Sequence, residues 1–339
     1  MTRFVAGYLR FSALWLPRML ITLAGMAVVL PLAAAALARL FAHDENMPLV
    51  WLDTFTFWLY TPAYPVLAVA LLFRVRILSA VSLAVVLAHL TFIAPDYLAG
   101  ADEPPPEGST LVRVYAANIL VSNPDLDAMA SAVIAADPDL LMIAEFSTAA
   151  GEALANAGVE ERLPYQVTYP DGHVGIALYS RYPMTDAHIW DAGDGTPFTQ
   201  ARVEIGGREV TVIGVHTTAP ISRGDKHEWD LQFEALLGVI NSVKTPLIIG
   251  GDFNMTQHHK WYGSLEDAGL RNAHRACGRG NATTWPNGQS RLPSIRLDHV
   301  WMSDSFSCVD IREGAGLGSD HKPVIATIAL PPLQGTATD

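Results

Sequence analysis

The distribution of apolar residues divides the chain near residue 100. Ahead of that point three long runs are almost free of charge: 19–42 contains only Arg39, 47–73 only Asp53, and 77–94 none. A bilayer core about 30 Å thick needs roughly 20 helical residues. Each run is therefore predicted to be a transmembrane helix, the third extending toward Leu98 across Pro95 and Asp96. Pro31, Pro62 and Pro65 fall inside these runs, where membrane helices tolerate kinks. Beyond residue 109 the pattern changes to short apolar runs at 111–115, 140–144, 210–215 and 246–249, which read as buried strands. The stretch 225–243 instead repeats Trp229, Leu231, Phe233, Leu236, Leu237 and Ile240 at three and four spacing and predicts a helix. Asn123-Pro124 opens another over 126–135.

Charge gives the apolar half a direction. Arg3, Arg10 and Arg18 precede the first run, and Arg74 and Arg76 lie between the second and third. The other flanks carry Asp44-Glu45 and Asp102-Glu103. Basic loops stay in the cytoplasm, so three spans over 1–99 would deliver the rest of the chain to the other side. A cleaved signal peptide is the competing reading of the first run, because arginines precede it. Trp51, Trp58, Tyr60 and Tyr64 suit interfacial anchors or packing, and His89 suits packing. Residues 100–109 hold Pro104, Pro105 and Pro106 and are expected to form a stiff spacer. A folded domain over 110–331 follows, with 332–339 as a flexible tail.

The chemistry lies where strands run out. Asn118 and Glu145 follow two of the apolar runs, and His216 follows a third. The fourth ends in Gly250-Gly251-Asp252-Phe253-Asn254, and the C-terminal part carries Leu297-Asp298-His299 and Gly318-Ser319-Asp320-His321. In Asp252 and Asn254 an ionisable group and an amide sit two apart, so both can address one anion, with acid–base work for the carboxylate. The glycine pair would let the backbone turn and approach a ligand. Ends of several strands meet at one rim of a sandwich, so polar residues remote in sequence can share a cleft.

In order, residue type and flanking strands, this set resembles the endonuclease/exonuclease/phosphatase superfamily over about 110–331. The segment from Gly175 to Pro183 is similar to the internal strand of that group. The resemblance implies an α/β protein: a four-layer α/β/β/α sandwich, here preceded by the transmembrane helical region. It also implies hydrolysis of phosphoester bonds. Asp252 would orient or deprotonate water, Asn254, His216 and Ser319 would hold phosphoryl oxygens, and His321 would donate to the phosphate, oriented by Asp298. Glu145 and Asp320 offer hard oxygens suited to Mg²⁺, with Mn²⁺ as the alternative, and Asn118 adds a neutral one. There is no Cys cluster and no His-Glu-x-x-His, which disfavours zinc. His299 is expected to pack, and His227, His258 and His259 to lie on surfaces.

Residues 101–339 hold 16 Lys and Arg against 30 Asp and Glu, a balance of −14. A non-specific nuclease generally carries a basic face, so nucleic acid is the less favoured partner. The three apolar runs, the proline spacer, His216-Thr217-Thr218-Ala219-Pro220 and Thr284-Trp285-Pro286 resemble membrane-anchored bacterial members, including VanJ-like teicoplanin-resistance proteins. That likeness implies a multi-pass protein of the bacterial cytoplasmic membrane, its domain outside the cytoplasm, acting on a lipid-linked phosphate or pyrophosphate. A nuclease and a catalytically silent phosphate-binding envelope module are the alternatives. Trp261, Tyr262 and Trp285 suit either lipid contact or a core. Cys277 and Cys308 suit either a disulfide in an oxidising compartment or two buried thiols. Nothing in the sequence sets an oligomeric state.

Overall fold

The computed structural model describes residues 2–288 and 290–333, with side chains from Trp15 onward. The expected tail lies outside the described residues from 334 on. The chain separates into two compact units, Met1–Pro95 and Asp96–Asp339.

The first unit is helical: α1 (Thr2–Ala42), α2 (Met47–Thr54), α3 (Thr56–Leu59), α4 (Ala63–Leu72) and most of α5 (Arg76–Leu98). Two stretches are long and apolar enough to cross a membrane, Trp15–Ala42 and Arg76–Leu98. The middle run is not one continuous helix. It breaks between Met47–Thr54 and Thr56–Leu72 with a 78° bend, and counts as a span only if the bent pair is one. Apolar composition records length but not direction, so this break had no signal. The two isolated charges explain each other: the Arg39 guanidinium donates to Asp53 at 2.6 Å and to the Thr56 hydroxyl at 2.8 Å. A charge in an apolar setting persists when it is paired. Gly25 lets α1 and α5 approach, since a Cβ there would meet Leu78 Cδ2 at 2.5 Å.

The second unit holds two six-stranded mixed sheets. One has the order β11 (Ser307–Glu313), β12 (Val324–Leu330), β1 (Thr110–Asn118), β2 (Leu140–Ala144), β4 (Ile176–Ser180), β3 (Tyr165–Tyr169). The other runs β5 (Met184–Asp191), β6 (Pro197–Ile205), β7 (Arg208–His216), β8 (Leu247–Asp252), β10 (Asp298–Ser303), β9 (Leu270–Asn272). Val112, Val114, Met142, Val212, Ile248 and Val300 fill the space between the sheets. Helices α6 (Leu126–Ala136), α7 (Thr148–Asn156) and α8 (Val159–Arg162) cover the first sheet through Met129, Val133 and Leu154. Helices α9 (Arg223–Ser242) and α10 (Lys260–Asp267) cover the second through Trp229, Phe233 and Trp261, and the short α11 (Ala273–Ala276) follows β9. This is the expected four-layer sandwich.

The stretch expected to be a spacer is fixed at its start. Ala101 pairs with Cys277, and the Asp102 N–H donates to Ala276 O at 2.7 Å. The Asp102 carboxylate accepts from Arg271 at 2.7 Å and from the Cys308 N–H at 2.8 Å. Cys277 and Cys308 form a disulfide, so one covalent link joins both segments that grip Asp102.

Two buried histidines give this unit an acid limit. Burial, with the nearby Arg296 charge, lowers His274 to about 4 and holds His299 well below the usual imidazole range. Unfolded, each takes up a proton near 6.5, so the unfolded state gains protons first and stability falls as pH drops from about 6.5 toward 4. For His274 the loss approaches about 3 kcal/mol across that window. Urea unfolding of the full chain in detergent at a series of pH values should show this slope, and His274→Gln should flatten it. A slope unchanged by that substitution would remove His274 from the account.

Candidate active site

Both sheets present their polar residues at one edge. The ends of β1, β2, β7 and β8 and the starts of β4, β10 and β12 meet there, because β8 pairs antiparallel with β10, Asp252 opposite Asp298, and parallel with β7, Asp252 opposite His216. In the first sheet Asn118, at the end of β1, lies opposite Ala144, the residue before Glu145.

Asn118 joins the two halves. Its Nδ2 donates to Glu145 Oε1 and to Asp252 Oδ2, each at 3.0 Å, while its Oδ1 accepts from the Leu120 N–H. Glu145 Oε2 takes the Val121 N–H at 2.7 Å. Leu120, Glu145 and Asn254 all have positive φ, at 60°, 57° and 45°. Non-glycine residues rarely adopt this region, and such strain concentrates at functional sites. Asp252 Oδ1 accepts the Asn254 N–H at 2.9 Å, and the Asn254 amide donates to Thr217 O. His216 Nε2 lies 3.9 Å and His321 Nε2 3.8 Å from Asp252 Oδ2.

The glycine pair has a packing reason within the fold. A Cβ at Gly250 would meet Met142 Sδ at 2.5 Å, and one at Gly251 (φ 143°) would meet Val215 O at 1.9 Å. These glycines let the two sheets and two adjacent strands close up.

His321 Nδ1 pairs with Asp298 Oδ2 at 2.8 Å, and both residues are buried. Burial alone would lower His321. The carboxylates of Asp298, Asp252 and Asp320 and the Asp298 hydrogen bond outweigh it and push the ring up to about 10, so it is an imidazolium at neutral pH. Burial pushes the Asp298 carboxyl above its usual range, against the pull of His321. Ser319 is a hinge: its hydroxyl donates to Asn118 O at 2.8 Å and accepts the His321 N–H at 3.0 Å. Asp320 is exposed, with Oδ2 taking the Trp285 indole N–H at 3.1 Å.

Asn118, Glu145, His216, Asp252, Asn254, Asp298, Ser319 and His321 are thus brought into one network, and Asp320 stands at its edge. Three supports were not expected at the site. The Thr284 hydroxyl takes the N–H groups of Leu297 and Asp298. Asn287 donates to the carbonyls of Gly316 and Ser319. Asn123, read only as a helix opener, donates to Ile119 O and Leu317 O. One expectation fails: His258 and His259 are buried rather than on the surface. Of the two readings of Trp261 and Tyr262, the core is the one observed.

The cluster has too little positive charge. Among the described residues no Lys or Arg pairs with Glu145, Asp252, Asp298 or Asp320, and the charge partners present are histidines. The Asp298 carboxylate is fully buried, with the His321 ring and the Thr284 hydroxyl as its hydrogen-bonding neighbours. Ligand-capable atoms of Asp252, Asp298 and His321 lie within 4.8 Å of one another. A divalent cation therefore fits this edge. The imidazolium state of His321 makes it a poor ligand, which favours the oxygen donors.

A family model for the endonuclease/exonuclease/phosphatase family matches residues 116–321, more than half of the chain. The chain belongs to that family, a group of hydrolases acting on phosphoester bonds. No curated protein sequence matches it. Among solved structures, humanized D. rerio TDP2 is similar at 14% identity and TM-score 0.55, over 64% of this chain and 98% of that one. An endonuclease/exonuclease/phosphatase from Beutenbergia cavernae is similar at 17% identity and TM-score 0.54, over 66% and 72%. D. rerio TDP2 complexed with single strand DNA product gives 14%, 0.53, 64% and 98%. At these identities the likeness is one of fold.

Proposed function

We propose that this chain is a membrane-tethered, Mg²⁺-dependent phosphoesterase whose catalytic domain lies outside the cytoplasm and hydrolyses a lipid-linked phosphate or pyrophosphate. The observation that carries the reaction is the carboxylate cluster without Lys or Arg facing the His321 imidazolium. Glu145 and Asn118 would hold the ion, Mg²⁺ or Mn²⁺, with Asp320 as an outer carboxylate. When bound, that ion supplies charge neutralisation at the phosphoryl group. Asp252 orients and deprotonates the attacking water. Asn254, His216 and Ser319 position phosphoryl oxygens, and His321 donates its Nε2 proton to the phosphate while Asp298 fixes the ring.

The apolar N-terminal helices and the −14 balance support a substrate held at a membrane, in the manner of the VanJ-like branch. A DNA substrate has one point in its favour, the DNA product bound to D. rerio TDP2, a protein of the same fold. The full chain in lipid nanodiscs, with Mg²⁺, should hydrolyse a polyprenyl pyrophosphate at least about tenfold faster than single-stranded DNA at equal concentration. Faster cleavage of DNA would replace the lipid reading with the nuclease. Failure to hydrolyse any phosphoester would leave a binding module.

A further inference from the structure

Five of the exposed large apolar side chains of the second unit stand at the edge that carries the site. Tyr169 ends β3, Val174 precedes β4, Ile221 follows β7, Leu292 precedes β10 and Leu317 precedes β12. Ile221 is 69% and Leu292 47% exposed, so neither is a core residue reaching outward. Cations accompany the same loops. Arg223 lies two residues after Ile221, Arg291 adjoins Leu292, and Lys322 follows His321. Arg223 and Arg291 are exposed, and among the described residues neither forms an ion pair. Elsewhere in this acidic unit Arg162, Arg181, Arg202, Lys226, Lys260 and Arg271 are paired with carboxylates, while the exposed Lys244 and Arg312 are, among the described residues, also without an ion pair but lie outside those loops. Unpaired cations beside exposed aliphatic tips, in a domain of opposite net charge, match a surface that offers phosphates outside and hydrocarbon beneath.

We infer that this rim docks on an anionic lipid surface, with Ile221 and Leu292 entering the acyl boundary and Arg223 and Arg291 meeting lipid phosphates. The inference deepens the proposed function and rests on it for the substrate: docking presents the cleft to a phosphate whose lipid stem stays in the bilayer. The alternative occupant, single-stranded nucleic acid, would use the arginines but leave the aliphatic tips in water.

The native cysteines are disulfide-bonded, so an introduced thiol can be labelled selectively. Environment-sensitive fluorophores would be attached to Ile221→Cys, Leu292→Cys and, at the opposite sheet edge, Leu111→Cys. The full chain would sit in phosphatidylcholine nanodiscs carrying shallow spin-labelled lipid, with or without phosphatidylglycerol. The labels at 221 and 292 should be quenched and the label at 111 should not, more strongly with phosphatidylglycerol. Arg223→Gln or Arg291→Gln should each shift the docked-to-free ratio about fivefold toward free, from about 1 kcal/mol per basic residue. Equal quenching at all three positions, indifference to phosphatidylglycerol, or release of the labels by single-stranded DNA would overturn the inference. Quenching needs no turnover. A docked but inactive protein would sink only the hydrolytic reading, and an active protein with an undocked rim only this one.

Discussion

Asp252→Asn is expected to lower turnover by about two or more powers of ten while the domain stays folded. Asp252 is 1% exposed, and its Oδ2 lies within 3.9 Å of both the His216 and the His321 ring nitrogens. The substitution keeps size and keeps an acceptor for the Asn254 N–H, but removes the charge that activates water. It has a structural consequence too. With Oδ1 retained for Asn254, the new NH₂ takes the place of Oδ2 and faces the Asn118 amide, donor against donor. That mismatch should cost about 1–3 kcal/mol of stability, which urea unfolding would register separately from kcat. The assay is hydrolysis of a soluble phosphodiester by the full chain with Mg²⁺. Turnover within a few-fold of the unsubstituted protein would remove Asp252 from the role of base.

Much of the fold and site was legible because strand ends are marked in sequence twice, by the end of an apolar run and by a polar residue after it. Asn118, Glu145, His216 and Asp252 are all of this kind, and β-pairing brings them to one edge. What was hidden depends on partners remote along the chain. Thr284 stands out only as part of Thr284-Trp285-Pro286, and its support of the site shows only where β10 begins beside it and offers two N–H groups. The glycines before Asp252 announce close approach, but that Met142 and Val215 are what comes close depends on the fold. Tyr262 reads as an amphipathic aromatic, yet it packs against Trp301 with ring centroids 4.6 Å apart. Composition likewise found the apolar first hundred residues but not the bend after Thr54. The sequence separation of 31 between Cys277 and Cys308 carries no distance, whereas the fold sets their Cα atoms 5.3 Å apart.

The second large effect is expected at the Asp298–His321 pair, and its signature is non-additivity. His321→Gln removes the donor to the phosphate, and Asp298→Asn removes the carboxylate that orients the ring and keeps it protonated. Each should lower turnover by about two to three powers of ten, and the double variant should be little worse than the poorer single one, because the two act as one unit. The stability readouts should differ. His321→Gln leaves the Asp298 carboxylate, 0% exposed, facing no imidazolium, which should cost about 3–5 kcal/mol. Asp298→Asn removes that buried charge and should cost less. The pH profiles should differ as well. With both carboxylates present His321 holds its proton up to about 10, so its donor role survives through the neutral and mildly alkaline range. In Asp298→Asn the ring loses its hydrogen-bonded carboxylate and keeps only the weaker pull of Asp252, at 3.8 Å, and Asp320, so its pKa falls. Residual activity should then decline on the alkaline side at a pH where the unsubstituted protein is still flat. Multiplicative losses in the double variant, or an Asp298→Asn profile that keeps its alkaline plateau, would show that the carboxylate does not act through His321.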